Sequence, residues 1–308
     1  MAAFKSGGSG SQPYFWNPFV LRKIVSFKLA KPPPILLIIS LLAFTEVRAS
    51  GDPFPLGARA WGMANASVTL TDGWSLWNNT AGLAQVKDRQ LLFAYDLRFG
   101  MAGLQTMAVG YVQPLRKGVA GVGVSRFGDE LYSESTVGVA YGYQLDKISF
   151  GLKINYLQTA MAEIGSRRRI TFELGCVAQL LPQLRLGAHI YNFSQTRFAA
   201  DERIATVMKA GLSYLPIQKF MLNAEVEKDI DYPASFRIGA EYEIVRNLRL
   251  RTGIHTQPGV YCFGFGFSPK KLHLDYALRT HPVLGLSHQV SVVVRLTERK
   301  VSPQTSTD

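Results

Sequence analysis

The sequence predicts an all-β fold: a 14-stranded antiparallel transmembrane β-barrel with a short N-terminal plug segment. Three observations predict this fold. Apolar and polar side chains alternate along successive segments of about ten residues, which is typical of strands with one apolar and one polar face. The segments are even in number, and every second connection between them is tight, as in bacterial outer-membrane barrels.

The first element along the chain is a leader. Basic residues precede an apolar run at 35–44, which is too short to span a bilayer comfortably but suits a secretory signal. Val47-Arg48-Ala49 places small residues at the −3 and −1 positions, so we predict a signal peptide at 1–49 and cleavage before Ser50. Residues 1–20 are unlike a leader, and an upstream start-codon assignment would explain them. A retained N-terminal anchor is the alternative.

Composition and charge exclude several classes of protein. The chain has 34 basic and 22 acidic residues; without the leader, 28 basic and 21 acidic residues remain, an excess of seven. These charges are scattered, whereas a nucleic-acid binder concentrates them on one face. The two cysteines, Cys176 and Cys262, make no disulfide framework; the alternation points the first outward and the second inward.

The alternating segments define the barrel at 89–297, between a plug segment at 50–88 and a disordered tail at 298–308. In one segment, for example, Ile148, Phe150 and Leu152 alternate with more polar neighbours. The predicted strands are 89–98, 103–113, 118–126, 134–144, 147–158, 169–180, 183–193, 205–215, 218–227, 233–243, 247–256, 259–268, 271–279 and 286–297.

The connections alternate in length. Longer, more polar ones include Phe127–Ser133, Thr159–Arg168 and Ser194–Ile204. The tight ones are Pro114–Lys117, Gln144–Lys147, Leu181–Gln183, Pro216–Gln218, Val245–Asn247 and Pro269–Lys271. Short periplasmic turns alternating with longer outer loops indicate an outer-membrane barrel. The outer loops are modest, so a large cell-surface structure is not expected.

The polar face of the later strands indicates which side of the barrel meets lipid. A wide lumen can solvate or pair charged groups, whereas a dry sandwich core cannot. The predicted lumen-facing residues are Arg185, His189, Lys209, Glu225, Arg237, Glu241, Arg249, Arg251, His273, Asp275 and Arg279. Aromatic residues at the strand ends of the apolar face predict interfacial girdles: Tyr111, Tyr143, Tyr156, Phe220, Tyr242 and Phe267.

The small residues of Gly57–Ala66 predict a helical turn packed against the barrel wall. Arg59, Trp61 and Met63 are the plug candidates, with Trp61 and Met63 as anchors. A plain polar plug without ligand contact is the simpler interpretation. For the lumenal charges, two interpretations stay open: opposite charges pair across strands and hold the plug, or they line a polar conduit or dock a client protein.

Two stretches near the N-terminus, Gly57–Ala66 and Leu70–Ala84, resemble the N-terminal region of the FadL superfamily, and within it the PorV/PorQ group of Bacteroidota type IX secretion. His281–Ser291 resembles the final hairpin of that group. The resemblance covers essentially the whole mature chain and implies a 14-stranded barrel whose N-terminal segment packs in or below the lumen. Two departures are notable: the family's Asn-Pro-Ala element reads Asn79-Thr80-Ala81, which implies a less rigid turn, and long outer loops are missing.

The resemblance implies a protein of the outer membrane of a Gram-negative bacterium of the Bacteroidota. Its expected task is that of an accessory or docking component of protein secretion, which binds a translocon subunit or a secreted client. The alternative is a FadL-like passive transporter of hydrophobic small molecules, and a purely structural barrel is the third possibility. An apolar pocket inside the barrel with a lateral opening would favour transport, and a charged, filled lumen would favour secretion.

Sequence motifs for catalysis, cofactor binding and metal binding are weak, so we expect no enzymatic activity, cofactor or metal site. The histidines have no metal-ligand spacing, and no nucleophile elbow is present. The glycines at 118, 121, 123, 264 and 266 lie in alternating strands without a following helix, so crowding around a plug explains them better than phosphate binding. The run Arg167–Arg169, placed in an outer loop, fits either lipopolysaccharide phosphates or a solvated charge run.

Overall fold

The computed structural model describes residues 55–199, 202–256 and 259–296. The predicted leader, the first residues of the plug segment and the C-terminal tail lie outside the described residues. Among the described residues, no helix combines the length and apolar character that a membrane crossing requires.

Fourteen strands form a closed antiparallel barrel, which confirms the predicted fold class. Each strand pairs with the next, and the last pairs with the first. The strands are β1 (Arg89–Leu97), β2 (Gln105–Pro114), β3 (Val119–Gly128), β4 (Tyr132–Leu145), β5 (Ile148–Met161), β6 (Gly165–Leu181), β7 (Leu184–Tyr191), β8 (Val207–Ile217), β9 (Phe220–Asp229), β10 (Ser235–Val245), β11 (Leu248–Thr256), β12 (Gly259–Phe267), β13 (Leu272–His281) and β14 (Gly285–Leu296).

The largest departure from the predicted strands is the hairpin of β5 and β6. The predicted loop Thr159–Arg168 is mostly paired strand, with Thr159 opposite Arg167. The run Arg167–Arg169 therefore lies in β6 and not in a loop. Exposed polar side chains cover both faces here, so the alternation that marks a half-apolar strand disappears although the backbone pairing continues.

At one end of the barrel every connection is tight, for example 146–147, 182–183 and 218–219, whereas the other end has both short connections, such as 129–131 and 162–164, and longer ones. The longest connection, 192–206, lies at the other end. We refer to the tight-turn end as periplasmic, following the loop asymmetry of outer-membrane barrels. β1 starts and β14 ends there, so the N-terminal segment enters the barrel from the periplasmic end.

The exterior is apolar. Ile154, Ile238 and Leu274 are 45%, 60% and 38% exposed on the outer face. Most of the predicted girdle aromatics lie at the periplasmic ends of their strands, and the rings of Phe220 and Tyr242 contact each other at 6.3 Å in a T-shaped arrangement. A surface of exposed aliphatic side chains bordered by aromatic rings is suited to lipid.

The interior is filled by the N-terminal segment. It contains the short helices α1 (Ala58–Gly62) and α2 (Ser75–Asn78) and the 3-10 helix Thr80–Gln85. Helix α1 contacts β11 to β14, whereas the 3-10 helix contacts β3 to β6, so the segment crosses the lumen. We call residues 55–88 the plug. The helical turn predicted within Gly57–Ala66 is α1.

The plugged lumen as the candidate functional site

Glycines on the inner wall let the plug approach the strands closely. A Cβ atom on Gly151 would lie 2.2 Å from the backbone nitrogen of Ala81, and one on Gly175 would lie 2.0 Å from Asn79 Oδ1. The inward glycines that contact the plug in this way are Gly110, Gly121, Gly123, Gly142, Gly151, Gly175, Gly187, Gly211, Gly239, Gly253 and Gly264. We call them the glycine belt.

Three of the glycines singled out in the sequence, at 121, 123 and 264, belong to this belt, so the crowding interpretation is confirmed for them. The other two do not contact the plug. Gly118 has a positive φ in the β2–β3 turn, and Gly266 faces the side chains of Asp275 and Arg251. The positive φ at position 118 therefore favours glycine, and Gly266 leaves room for the ion pair of Asp275 and Arg251.

Asn79 fixes the turn before the 3-10 helix. Its Nδ2 donates to the carbonyl oxygen of Val68 at 2.6 Å and to those of Cys176 and Ala188 at 3.3 Å. Its Oδ1 accepts from the amide of Ala81 at 3.2 Å. One fully buried amide therefore joins two parts of the plug to β6 and β7.

Arg59 anchors the plug on the side of β10. Its guanidinium binds Glu241 in a bidentate contact at 2.7 and 2.9 Å and also binds Asp72 of the plug at 2.9 Å. Arg251 completes the network with Glu241 at 2.6 Å and Asp275 at 2.7 Å. Burial disfavours the charge on Arg59, but Glu241 and Asp72 outweigh it and hold its pKa above the ordinary value.

A second charged network holds the middle of the plug. Glu225 accepts hydrogen bonds from the two backbone amides of 67–68, each at 2.8 Å. Arg237 binds Glu225 at 3.4 Å and also Glu227, which in turn binds Lys209 at 3.3 Å. A wall carboxylate thus satisfies plug amides that would otherwise be buried without partners.

The structure also reveals a network that the sequence analysis missed. Lys153 and Glu173 lie opposite each other on β5 and β6 and pair at 3.1 Å, while Asn155 and His189 also contact Glu173, at 2.6 and 3.0 Å. Opposite charges at matching positions on the polar faces of β5 and β6 indicate such a pair, whereas the predicted lumenal charges all lie in later strands.

The predicted lumenal residues all lie on the inner face, but in separate networks. Lys209, Glu225, Arg237, Glu241, Arg251 and Asp275 are buried, and Arg185, Arg249 and Arg279 are half-buried. Arg249 pairs with Glu243 at 3.0 Å. Arg185 donates to Gln179 at 2.8 Å and Thr71 at 3.3 Å.

The plug aromatics and Met63 serve as anchors by packing. The guanidinium carbon of Arg279 lies 5.9 Å from the centre of the Trp61 ring, and the indole nitrogen of Trp61 donates to the carbonyl oxygen of Pro55 at 2.9 Å. Met63 is fully buried against Gly239 and Gly253.

The wall of β1 to β4 differs from the charged remainder. It meets the plug through one apolar cluster, which we call the apolar sector. Its wall residues are Leu92, Ala94, Ala108, Val112, Val119 and Ala140 of β1 to β4 and Val293 of the neighbouring β14, and its plug residues are Leu56, Trp74, Leu76, Trp77, Leu83 and Val86. The outer end of the sector is polar, where Arg98 pairs with Asp96 at 3.2 Å.

Trp77 is the half-buried member of the sector. Its ring lies against Gly110 and Gly123, where an added Cβ would approach to 2.6 Å. Its centroid is 5.7 Å from that of Trp74.

Among the described residues, no group of three or more His, Cys, Asp or Glu side chains is placed to hold a metal ion.

Comparisons with known proteins place this fold among characterised barrels. No protein-family model and no curated protein matches the sequence. The CymD monoaromatic hydrocarbon channel superposes with a TM-score of 0.64 at 14% identity, covering 81% of this chain and 100% of that one. The Pseudomonas putida toluene transporter TodX gives 0.60 at 13% identity, covering 79% and 98%. A Pseudomonas aeruginosa FadL homologue gives 0.57 at 12% identity, covering 80% and 100%.

These likenesses are of fold, and they correct one prediction. The prediction of a PorV/PorQ-like accessory role in secretion is wrong, because the solved barrels to which this fold is similar include a hydrocarbon channel, a toluene transporter and a FadL homologue. The inward charges of the later strands favoured secretion because unpaired charges beside a hydrophobic solute are costly. In the structure, those charges pair on one side of the lumen and leave the apolar sector free of them along most of its length.

Proposed function

We propose that this protein is a passive outer-membrane channel for small hydrophobic molecules in a Gram-negative bacterium. The observation that carries the proposal is the likeness to the CymD hydrocarbon channel over that protein's full length. The interior supports it independently, because one continuous part of the wall is apolar. Along the apolar length of this wall, a neutral hydrophobic molecule would desolvate no charged group before it reaches the Arg98–Asp96 pair at the outer end.

The two sides of the plug differ in what holds them. On the side of β9 to β13, ion pairs and charge-assisted hydrogen bonds join the plug to the wall. In the apolar sector, contact is by nonpolar packing against small residues and glycines. Nonpolar packing is not directional, so the apolar side can rearrange while the charged side stays anchored. The route we propose therefore runs between the plug and β1 to β4.

Uptake by whole cells tests the proposal. The full chain would be expressed in a Gram-negative host that lacks hydrocarbon channels, and the initial uptake of radiolabelled toluene would be compared with empty-vector cells. We expect faster toluene uptake and unchanged uptake of a hydrophilic sugar. Equal toluene uptake in both strains, with the barrel present and folded in the outer membrane, would refute the proposed function.

Two plug tryptophans provide a matched pair that tests the route. Trp77→Ala removes the ring that fills the apolar sector beside Gly110 and Gly123, so toluene uptake should rise several-fold. Trp61→Ala removes an equally large ring on the charged side and should leave uptake near the native rate. An equal rise in both variants would indicate general loosening of the plug and contradict a route through the apolar sector.

A further inference from the structure

A cavity of about 220 Å³ opens at the periplasmic end between the plug and strands β11 to β14 and β1. Four arginines line it: Arg59, Arg249, Arg251 and Arg295. Two carboxylates, Asp72 and Asp275, also line it. We call it the mouth cavity. Its lining is therefore rich in cations, and it meets the apolar sector only at Trp74 and Val293.

The carboxylates of the mouth cavity are already used. Arg59 binds Asp72 at 2.9 Å, and Arg251 binds Asp275 at 2.7 Å. Arg249 has a partner outside the lining, Glu243, at 3.0 Å. Arg295 has no carboxylate within ion-pair distance among the described residues. The cavity thus holds one guanidinium that is not neutralised by the part of the protein that the structure describes.

Two buried donors in the lining lack acceptors. The Nε of Arg295 and the indole nitrogen of Trp74 are buried, and neither meets a hydrogen-bond partner among the described residues. Trp74 is only 3% exposed. A buried donor without an acceptor costs free energy, and the half-buried guanidinium of Arg295 has no carboxylate partner among the described residues, so both groups favour a ligand that brings acceptor oxygens. The unmet groups are all donors, which indicates an anion.

The surroundings reinforce this electrostatic preference. A second cavity of about 280 Å³ adjoins the first and shares Arg59, Thr71 and Arg249 with it. Arg185 and Lys219 also line this second cavity, as do Glu241 and Glu243, which pair with Arg59 and Arg249. Arg185 is bonded to neutral groups, so it leaves a further positive charge beside the site. Neighbouring cations raise the local concentration of anions in such a concave, partly enclosed space.

We infer that the mouth cavity is a binding site for a small anion, with a carboxylate or phosphate group held by Arg295 and the indole N–H of Trp74. The volume is below that of sites for drug-sized ligands, which begin at about 300 Å³, so the ligand is small. Trp74 and Val293 add apolar lining, which accommodates an organic carboxylate with a compact body. The site lies at the periplasmic end, so it is reached from the periplasm whether or not the lumen conducts.

Calorimetric titration of the purified full chain in detergent tests this inference without any measurement of transport. Benzoate, inorganic phosphate and the neutral analogue benzyl alcohol would be titrated in turn. We expect at least one of the two anions to bind and benzyl alcohol to bind at least about tenfold more weakly, the factor that a charged hydrogen bond confers. Preference for benzoate would identify an organic carboxylate, and preference for phosphate an inorganic anion. Failure of both anions to bind would overturn the inference.

Variants assign the binding to the cavity. Arg295→Gln should weaken anion binding by about tenfold or more, and Trp74→Phe, which keeps the ring and removes the donor, by a few-fold. Glu243→Gln frees Arg249 from its partner and should tighten binding. Arg116→Gln, in an exposed turn at the same end, is the matched control and should bind as the native chain does. Native affinity in both Arg295→Gln and Trp74→Phe, or equal weakening in Arg116→Gln, would refute the site.

Discussion

At the scale of single residues, Arg59 shows how one side chain can position a whole segment. It lies in a helix of five residues, which has little stability of its own. Its guanidinium contacts a carboxylate of the wall and one of the plug. These two contacts together fix both the orientation of the plug and its depth in the barrel. The planar fork of arginine suits this double contact better than the point charge of lysine would.

Replacing Arg59 should therefore loosen the plug without unfolding the barrel. Arg59→Gln removes both ion pairs and leaves Glu241 paired with Arg251, so we expect a loss of about 1–3 kcal/mol in the stability of the plugged state. Urea titration followed by tryptophan fluorescence would measure it, since Trp61 and Trp74 belong to the plug. Arg168→Gln, at an exposed position of β6, should change stability by less than about 0.5 kcal/mol. Similar losses in both variants would argue against the anchor.

At the scale of elements, the strands of this barrel serve two environments at once. Their outer faces carry large aliphatic and aromatic residues, and their inner faces carry glycine where the plug approaches most closely. The belt glycines often meet across strands, as do Gly110 with Gly123, and Gly142 with Gly151. Glycine weakens a strand, so its repeated use here indicates that close approach of the plug outweighs that loss.

Adding one methyl group to the belt should displace the plug. A Cβ on Gly151 would meet backbone atoms at 2.2 and 2.4 Å, and backbone cannot rotate away as a side-chain tip can. We expect Gly151→Ala to destabilise the plugged protein by about 1–3 kcal/mol. Gly259→Ala is the control, because nothing lies within 4 Å of its added Cβ. Thermal unfolding would compare them, and a neutral Gly151→Ala would mean that the plug can shift at no cost.

The outer face of β5 tests the lipid assignment. Ile154 lies near the middle of the strand and is 45% exposed, so Ile154→Arg should cost roughly 2–4 kcal/mol in a bilayer. Leu145→Arg places the same charge at the periplasmic end of β4, where roughly 0–1 kcal/mol is expected. Equilibrium unfolding from lipid vesicles would separate the two values. Equal costs at both positions would contradict a membrane centred on the middle of the barrel wall.

At the scale of the whole molecule, closure of the barrel determines how anything can pass. β1 and β14 are paired along nine residue positions, and the plug crosses the lumen from β13 to β4. A solute that enters the lumen therefore meets the plug, and the proposed route requires the plug to rearrange beside β1 to β4. The charged networks and α1 would remain in place during this movement.

A cross-link on the charged side tests that division. Ala64 packs against the buried native Cys262 of β12, so Ala64→Cys would tie the plug to the wall after oxidation. The route we propose predicts that toluene uptake continues with the bond formed, because the tied side does not need to move. Mass spectrometry of the linked peptide would verify the bond. Uptake that stops on oxidation and returns on reduction would show that the charged side must move as well.

The sequence by itself determined the number of strands, most of their extent and the direction of the side chains along the predicted segments. This was possible because the period of two is local: lipid selects one face along ten successive residues, and a slip of one position would expose the wrong face. Ile238 could be assigned outward and Arg237 inward from their neighbours alone, and both assignments hold. At 162–168, where the side chains are exposed, the local signal vanished, and the prediction of a loop over 159–168 failed.

The tertiary structure alone decided which charges meet and where the lumen is apolar. Glu225 binds the amide of Ser67 across 158 residues of chain, and Arg59 binds Glu241 across 182. No local pattern encodes such contacts, because they depend on the closure of the barrel and on the path of a nonrepetitive plug. The inward-facing charges in the sequence predicted a polar lumen. In the structure, these charges pair on one side of the lumen, and the wall on the other side is apolar. That separation and the likeness of fold favour the transport alternative over docking. The polarity of each residue follows from the sequence. The polarity of a passage through the barrel depends on which surfaces folding places side by side.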